Sequence, residues 1–311
     1  MTRRHLIGTV AAASAALAQG QKPKTWKPKL GVLTKFSEAN IEFIRQEGFT
    51  CTQLNTDPSL HSDEGVRKVK DLMARTGLTI TSLGSTVNHT APDPEARRKV
   101  NEGFARNIEL AGKLGVRFIG SASGNMPGKR LNEQVDEIVR VYTEKYFALC
   151  EKHNVKILWE PWAGGPNVAT GPVGYEALFK AFGNSPHVGL LYDPSHLLWQ
   201  MMDPIQCARD FIDKIYDVHL KDTEILWNVV RKGGIQPVNR AQWWRFRLPG
   251  FGDVDWKGFF NVLAAAGYEG GMNIEHEDSF YGWPPPGGEF NEEVKTGLRV
   301  SHQFLKQFVP A

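Results

Sequence analysis

Four short hydrophobic runs in the second half of this 311-residue chain each end in a residue able to ligate a metal. They are Ile157-Leu158-Trp159-Glu160, Val188 through Asp193, Ile215 through His219 and Gly271 through Glu275, which supply Glu, Asp, His and Glu in that order. Three carboxylates and one imidazole make an oxygen-rich set that suits one divalent ion, Mn²⁺ first and Mg²⁺ or Co²⁺ after it. An octahedral ion held by four protein groups keeps two places open, which neighbouring oxygens of a hydroxy-carbonyl sugar can fill. A carboxylate beside it can take the proton from carbon next to the carbonyl, and a second carboxylate on the opposite face can return one. A single acidic residue at a strand end is ordinary surface chemistry. Four successive hydrophobic runs each ending in a ligand type are not.

Such residues converge only if all the strand ends point to one rim, which a parallel barrel provides. Strand patterns fall at 30–33, 50–54, 78–83, 116–119, 157–160, 188–193, 215–219 and 271–275. Between them lie helical patterns at 38–47, 63–76, 94–114, 132–153, 175–182, 204–213, 256–266 and 291–308, several followed by the Gly that closes a helix. Eight strands alternating with eight helices predict a single-domain (β/α)8 TIM barrel over residues 30–308. Leu33-Thr34-Lys35-Phe36-Ser37 is no glycine-rich phosphate turn, so no dinucleotide site is expected. The longest irregular stretch, from Thr223 to Asp255, holds Trp227, Trp243, Trp244 and Arg247 and has the length of a functional loop. Trp162 and Trp199, beside two of the metal candidates, are expected to line the substrate pocket, with Arg247 as a further contact. Lys221 follows the seventh strand, where it can act on a substrate oxygen or pair with a neighbouring acid.

Composition bounds the partners. With 41% hydrophobic and 23% charged residues, the chain can bury a large core. Met1-Thr2-Arg3-Arg4, followed by a mild Ala-rich run to Ala18, has the layout of a twin-arginine leader over residues 1–18, with a linker over 19–29. Export to a bacterial periplasm follows, and the run is too short for a membrane anchor. Without Arg3 and Arg4, 35 basic residues face 34 acidic ones, which gives no basic face for nucleic acid. Cys51, Cys150 and Cys207 are few and widely spaced, so they are expected to be core residues. A homo-oligomer is left open.

The chain resembles the xylose isomerase-like superfamily, in its sugar isomerase and epimerase group, which includes ketose 3-epimerases, hydroxypyruvate isomerase and inosose dehydratase. The resemblance is carried by Trp159-Glu160-Pro161, Asp193-Pro194-Ser195-His196, Val218-His219-Leu220-Lys221-Asp222, the stretch from Pro249 to Trp256, and Ile274-Glu275-His276. It implies that Glu160, Asp193, His219 and Glu275 bind one divalent ion, that Glu160 and Glu275 also move protons, and that His196 contacts a substrate hydroxyl. A small carbohydrate is the implied substrate, and the same enediolate chemistry serves isomerisation, epimerisation or a β-elimination on 3-keto-glycosides or inososes. Ketose 3-epimerases carry an Arg six residues after the His ligand, where this chain has Ile225, which argues against a free ketohexose. Endonuclease IV shares the barrel but needs further His ligands, and here only His89 offers itself.

The leader makes a testable expectation: Arg3→Lys with Arg4→Lys should strand the precursor in the cytoplasm. A reporter fused to residues 1–25 that stays cytoplasmic with both arginines intact would refute it.

Overall fold

A computed structural model describes residues 26–284 and 288–309. The leader at 1–18 and the linker up to residue 25 lie outside the described residues. At Trp26 the chain is already docked on the barrel. The indole N–H donates to the Tyr268 carbonyl at 2.9 Å, and the ring meets Phe260 edge-on.

Ten strands are present among the described residues: β1 (Lys29–Lys35), β2 (Cys51–Asn55), β3 (Thr79–Gly84), β4 (Phe118–Ser121), β5 (Lys156–Trp159), β6 (Val188–Tyr192), β7 (Ile215–Leu220), β8 (Asp222–Ile225), β9 (Trp244–Arg247) and β10 (Gly271–Ile274). Eight close into a parallel barrel in the order β1-β10-β7-β6-β5-β4-β3-β2. Strands buried on both faces need continuous apolar runs, and Ile157, Leu158, Trp159 and the whole of β6 are buried accordingly. Helices end where the glycines say they should: Gly77 and Gly115 take φ of 73° and 74° and return their N–H groups to the last turn. Gly31 serves a different need. A Cβ there would come within 2.6 Å of Cys51 Sγ and 2.5 Å of Asn273 Oδ1, which cross the barrel interior. All three cysteines are buried and free.

Two segments differ from expectation. The helical pattern at 132–153 is broken at Tyr146 into Leu131–Lys145 and Phe147–His153. The Tyr146 hydroxyl gives its proton to Asn101 at 2.8 Å, so its oxygen accepts from His89 Nδ1–H at 2.9 Å, and the Ser121 hydroxyl donates to His89 Nε2 at 3.0 Å. His89 is therefore a satisfied core residue, fully buried, and not a metal candidate. The stretch from Thr223 to Asp255 is not irregular either. β8 and β9 pair antiparallel, with a short helix, Trp227–Gly233, between them. Opposite charges on facing positions fix that hairpin, with Glu224 held by Arg245 at 2.7 Å and by Arg247 at 2.6 Å. No helix among the described residues is long and apolar enough to cross a membrane.

Burial pushes the His89 pKa down to about 3. The unfolded chain protonates this residue near its ordinary value of ~6.5 while the folded chain keeps it neutral, so stability falls as pH drops through the window between. Denaturant melts should show that His89→Gln flattens the loss between pH 6.5 and about 3 by up to ~1.4 kcal/mol per pH unit. An unchanged slope would mean His89 is charged in the folded protein.

Candidate metal centre and its cleft

β5, β6, β7 and β10 are four neighbouring staves, so their C-terminal ends share one arc of the rim. Glu160 follows β5 directly, Asp193 follows β6, His219 lies within β7 and Glu275 follows β10. One ligand-type atom from each lies within 4.8 Å of the others. His219 Nδ1 stands at their centre, 3.0 Å from Glu160 Oε1, 3.0 Å from Glu275 Oε2 and 4.0 Å from Asp193 Oδ2. The four residues singled out by the sequence are brought together.

Their orientation depends on residues the strand pattern did not mark. The Gln53 carbonyl oxygen in β2 accepts from His219 Nε2–H at 2.6 Å, which turns Nδ1 toward the carboxylates and leaves its lone pair for a ligand. The signal was a polar residue inside a buried strand. Asp193 caps the short helix Pro194–Trp199, accepting the Ser195 N–H on Oδ1 at 2.8 Å. Its other oxygen is buried in the cluster and accepts no hydrogen bond. Glu277, two residues past Glu275 in the segment after β10, lines the same cleft and adds a fourth carboxylate.

Against these four acids stands Lys221, whose ammonium is 2.6 Å from Glu275, 3.0 Å from Glu277 and 3.2 Å from Asp193. Burial disfavours its charge, but the surrounding carboxylates hold its pKa well above the ordinary range. Burial likewise pushes Glu275 up, yet Lys221 and His219 bring it down to about 2. Glu160 is also held well below the usual range, because His219 and His196 outweigh its burial. Burial opposes charge on His219, but Glu275 and Glu160 raise its pKa well above the ordinary imidazole value. Lys221 and a protonated His219 carry two positive charges against four carboxylates, which leaves negative charge that a further cation can match, and Asp193 Oδ2, 3.2 Å from the Lys221 ammonium, accepts no hydrogen bond. The donor set fits a divalent ion with oxygen and imidazole preference, held by Glu160, Asp193, His219 and Glu275.

The cluster opens into a cleft of about 320 Å³ lined by Glu160, Trp162, His196, Lys221, Phe246 and Glu277, among others. Trp162 thus lies where it was expected, about one-third exposed. His196 does too. The Trp199 indole N–H donates to its Nδ1 at 3.3 Å, and its Nε2 lies 3.2 Å from the Lys221 ammonium and 3.5 Å from both Glu160 and Asp193. Trp199 itself stands behind this wall and not in it, stacked on Trp244 at 4.7 Å. Arg247 is also not a cleft contact: Glu224 and Asp278 hold it at 2.6 and 2.9 Å, an internal tie that braces the hairpin. Phe246, next to Arg247 in β9, reaches the cleft, 4.4 Å over the Lys221 ammonium and edge-on to His196. Nothing in the sequence distinguishes it from its aromatic neighbours.

The stretch from Pro249 to Trp256 works from behind. Asp222 is buried and accepts the N–H groups of Gly250 and Val254 at 3.0 Å and the Trp256 indole N–H at 2.8 Å. Gly252 is required beside it, since a Cβ would come 2.3 Å from Asp222 Oδ1. This knot fixes the backbone next to Lys221 and joins the hairpin to the barrel.

Asp193→Asn and His219→Ala should each abolish stoichiometric ion binding, and Gln53→Leu should weaken it by about 10–100-fold, because an unbraced imidazole turns away. Chelator-competition titration measures all three. Full retention by the first two would eliminate this centre.

Residues 41–307 match the family described as the Xylose isomerase-like TIM barrel. Over 289 residues the chain is 29% identical to the uncharacterized protein YfiH of Bacillus subtilis, spanning 82% of this chain and 86% of that one. It is 40% identical over 91 residues to an inosose dehydratase of Clostridium tetani, about 30% of each. Among solved structures, the 3-keto-D-glucoside 4-epimerase YcjR of E. coli superposes with a TM-score of 0.69 at 17% identity, covering 90% of this chain and all of that one. The IOLI protein with a bound zinc atom superposes at 0.67 and 18%, covering 90% of this chain and 96% of its own. With a closed eight-stranded parallel barrel beneath that matched span, the chain belongs to the xylose isomerase-like TIM barrel family.

Proposed function

We propose that the protein is a divalent-metal-dependent isomerase or epimerase of a non-phosphorylated sugar or keto-sugar derivative, acting through an enediolate. The observation that carries this is the pair Glu160 and Glu275, each 3.0 Å from the same imidazole nitrogen and each open to the cleft. When bound at the four-residue centre, a divalent ion, Mn²⁺ by preference of the donor set, polarises the substrate carbonyl and so acidifies the neighbouring C–H. One glutamate removes that proton, and the other, approaching from a different staff of the barrel, delivers one. His196, which lines the cleft, is placed to hold a substrate hydroxyl. The cleft itself argues for an uncharged sugar. Its lining lysine is already surrounded by Glu275, Glu277 and Asp193, which would repel a phosphate. An exported protein, as the leader implies, would also meet unphosphorylated sugars.

A second reading is supported by the Lys221–Glu277 pair, which lies beyond the four candidate ligands and could protonate a leaving oxygen. With it, loss of a proton next to the carbonyl would continue to β-elimination, the class of reaction named for the inosose dehydratases.

Keto-sugars and keto-glycosides incubated with the Mn²⁺-loaded protein in deuterated water separate the two. Deuterium retained in a rearranged sugar supports the first, and a released aglycone or lost water the second. Glu160→Gln and Glu275→Gln should each keep an ion and lose roughly 10²–10⁴-fold in rate. Near-normal turnover by both would discard the two-carboxylate mechanism.

A further inference from the structure

We propose that the site takes a glycoside of two sugar rings, with the carbonyl-bearing ring in the metal-side cleft and the second ring in a trough over the ends of β1 and β2. This deepens the function proposed above and rests on it for the first ring. The trough, about 280 Å³, is lined by Leu33, Lys35 and Asn55 on one side and by Glu275, Glu277 and Trp283 on the other. The last three also line the 320 Å³ cleft, so the two hollows adjoin along these residues. Each alone lies at the lower end of the volumes that small ligands occupy; side by side, they suit a substrate of two rings that crosses the shared residues.

The chemistry of the lining agrees with a sugar. Trp283 sits at the junction with more than half of its surface exposed, a platform for the C–H face of a pyranose. The Asn55 side-chain amide makes no hydrogen bond among the described residues, and Gly84 leaves it room, because a Cβ there would come 2.4 Å from its Oδ1. A carboxamide with donor and acceptor free is suited to a pair of ring hydroxyls. The shared wall supplies the bridge. A glycosidic oxygen linking the two rings would pass Glu277 and the Lys221 ammonium, which lie 3.0 Å apart.

Calorimetric titration of the full, Mn²⁺-loaded chain tests this with methyl glucosides and gluco-disaccharides of both anomers, which lack the ketone and so cannot turn over. At least one disaccharide should bind 10-fold or more tighter than its methyl glycoside. Asn55→Ala and Asn55→Leu should each cut that preference below about 3-fold while leaving methyl glycoside affinity and the melting temperature unchanged. No disaccharide preference, or one that survives both substitutions, overturns the second subsite. Deuterium exchange into a one-ring keto-sugar reports on the function separately. Exchange without the preference removes the trough alone, the preference without exchange supports the trough and sinks the isomerase, and loss of both removes both.

Discussion

Excess negative charge, gathered on one arc of a barrel rim, is the constraint that organises this molecule. Glu160, Asp193, Glu275 and Glu277 converge where water is scarce, with Lys221 as the fixed cation among them. Buried carboxylates without counter-charge are costly, so the arrangement holds only with close ion pairing and a place for a further cation. The Asp193 oxygen that accepts no hydrogen bond and the His219 Nδ1 turned toward the carboxylates mark that place. The cluster is thus poised between two states: one in which His219 carries a proton among acids, and one in which an ion replaces that proton.

Most of the remaining structure near the rim keeps those groups from relaxing apart. Gln53 sets the His219 ring, Trp199 sets His196, and Asp222 draws the stretch from Gly250 to Trp256 behind Lys221. The β8–β9 hairpin is braced by Glu224, Arg245, Arg247 and Asp278, and it delivers Phe246 to the cleft as a fixed wall. Sites carried by strand ends and locked by surrounding hydrogen bonds hold their geometry better than sites on free loops.

The same geometry serves several outcomes. Two carboxylates flanking one carbonyl-polarising centre permit proton return to either face, and the adjacent Lys221–Glu277 pair could instead assist departure of an oxygen. Which occurs depends on what the substrate carries at the β-carbon and how the cleft holds it, not on the barrel. Residues outside the four-residue centre, among them Phe246, Trp162 and Trp283, line the rest of the cleft.

The sequence alone determined the elements and the ligand types, because both are local. Hydrophobic runs of strand length, closed by Glu160, Asp193, His219 and Glu275, and glycines such as Gly77 and Gly115 at helix ends leave direct marks in the chain. The barrel follows from alternation, and convergence follows from the barrel. Tertiary structure decided what depends on a distant partner. Gln53 matters because His219 lies 166 residues away, and Arg247 is a brace because Asp278 meets it from beyond β10. Trp199 stands behind the cleft and Phe246 in it because the stack on Trp244 is settled by how a hairpin folds over the rim. Periodicity reports which face a residue occupies; only packing reports what that face meets.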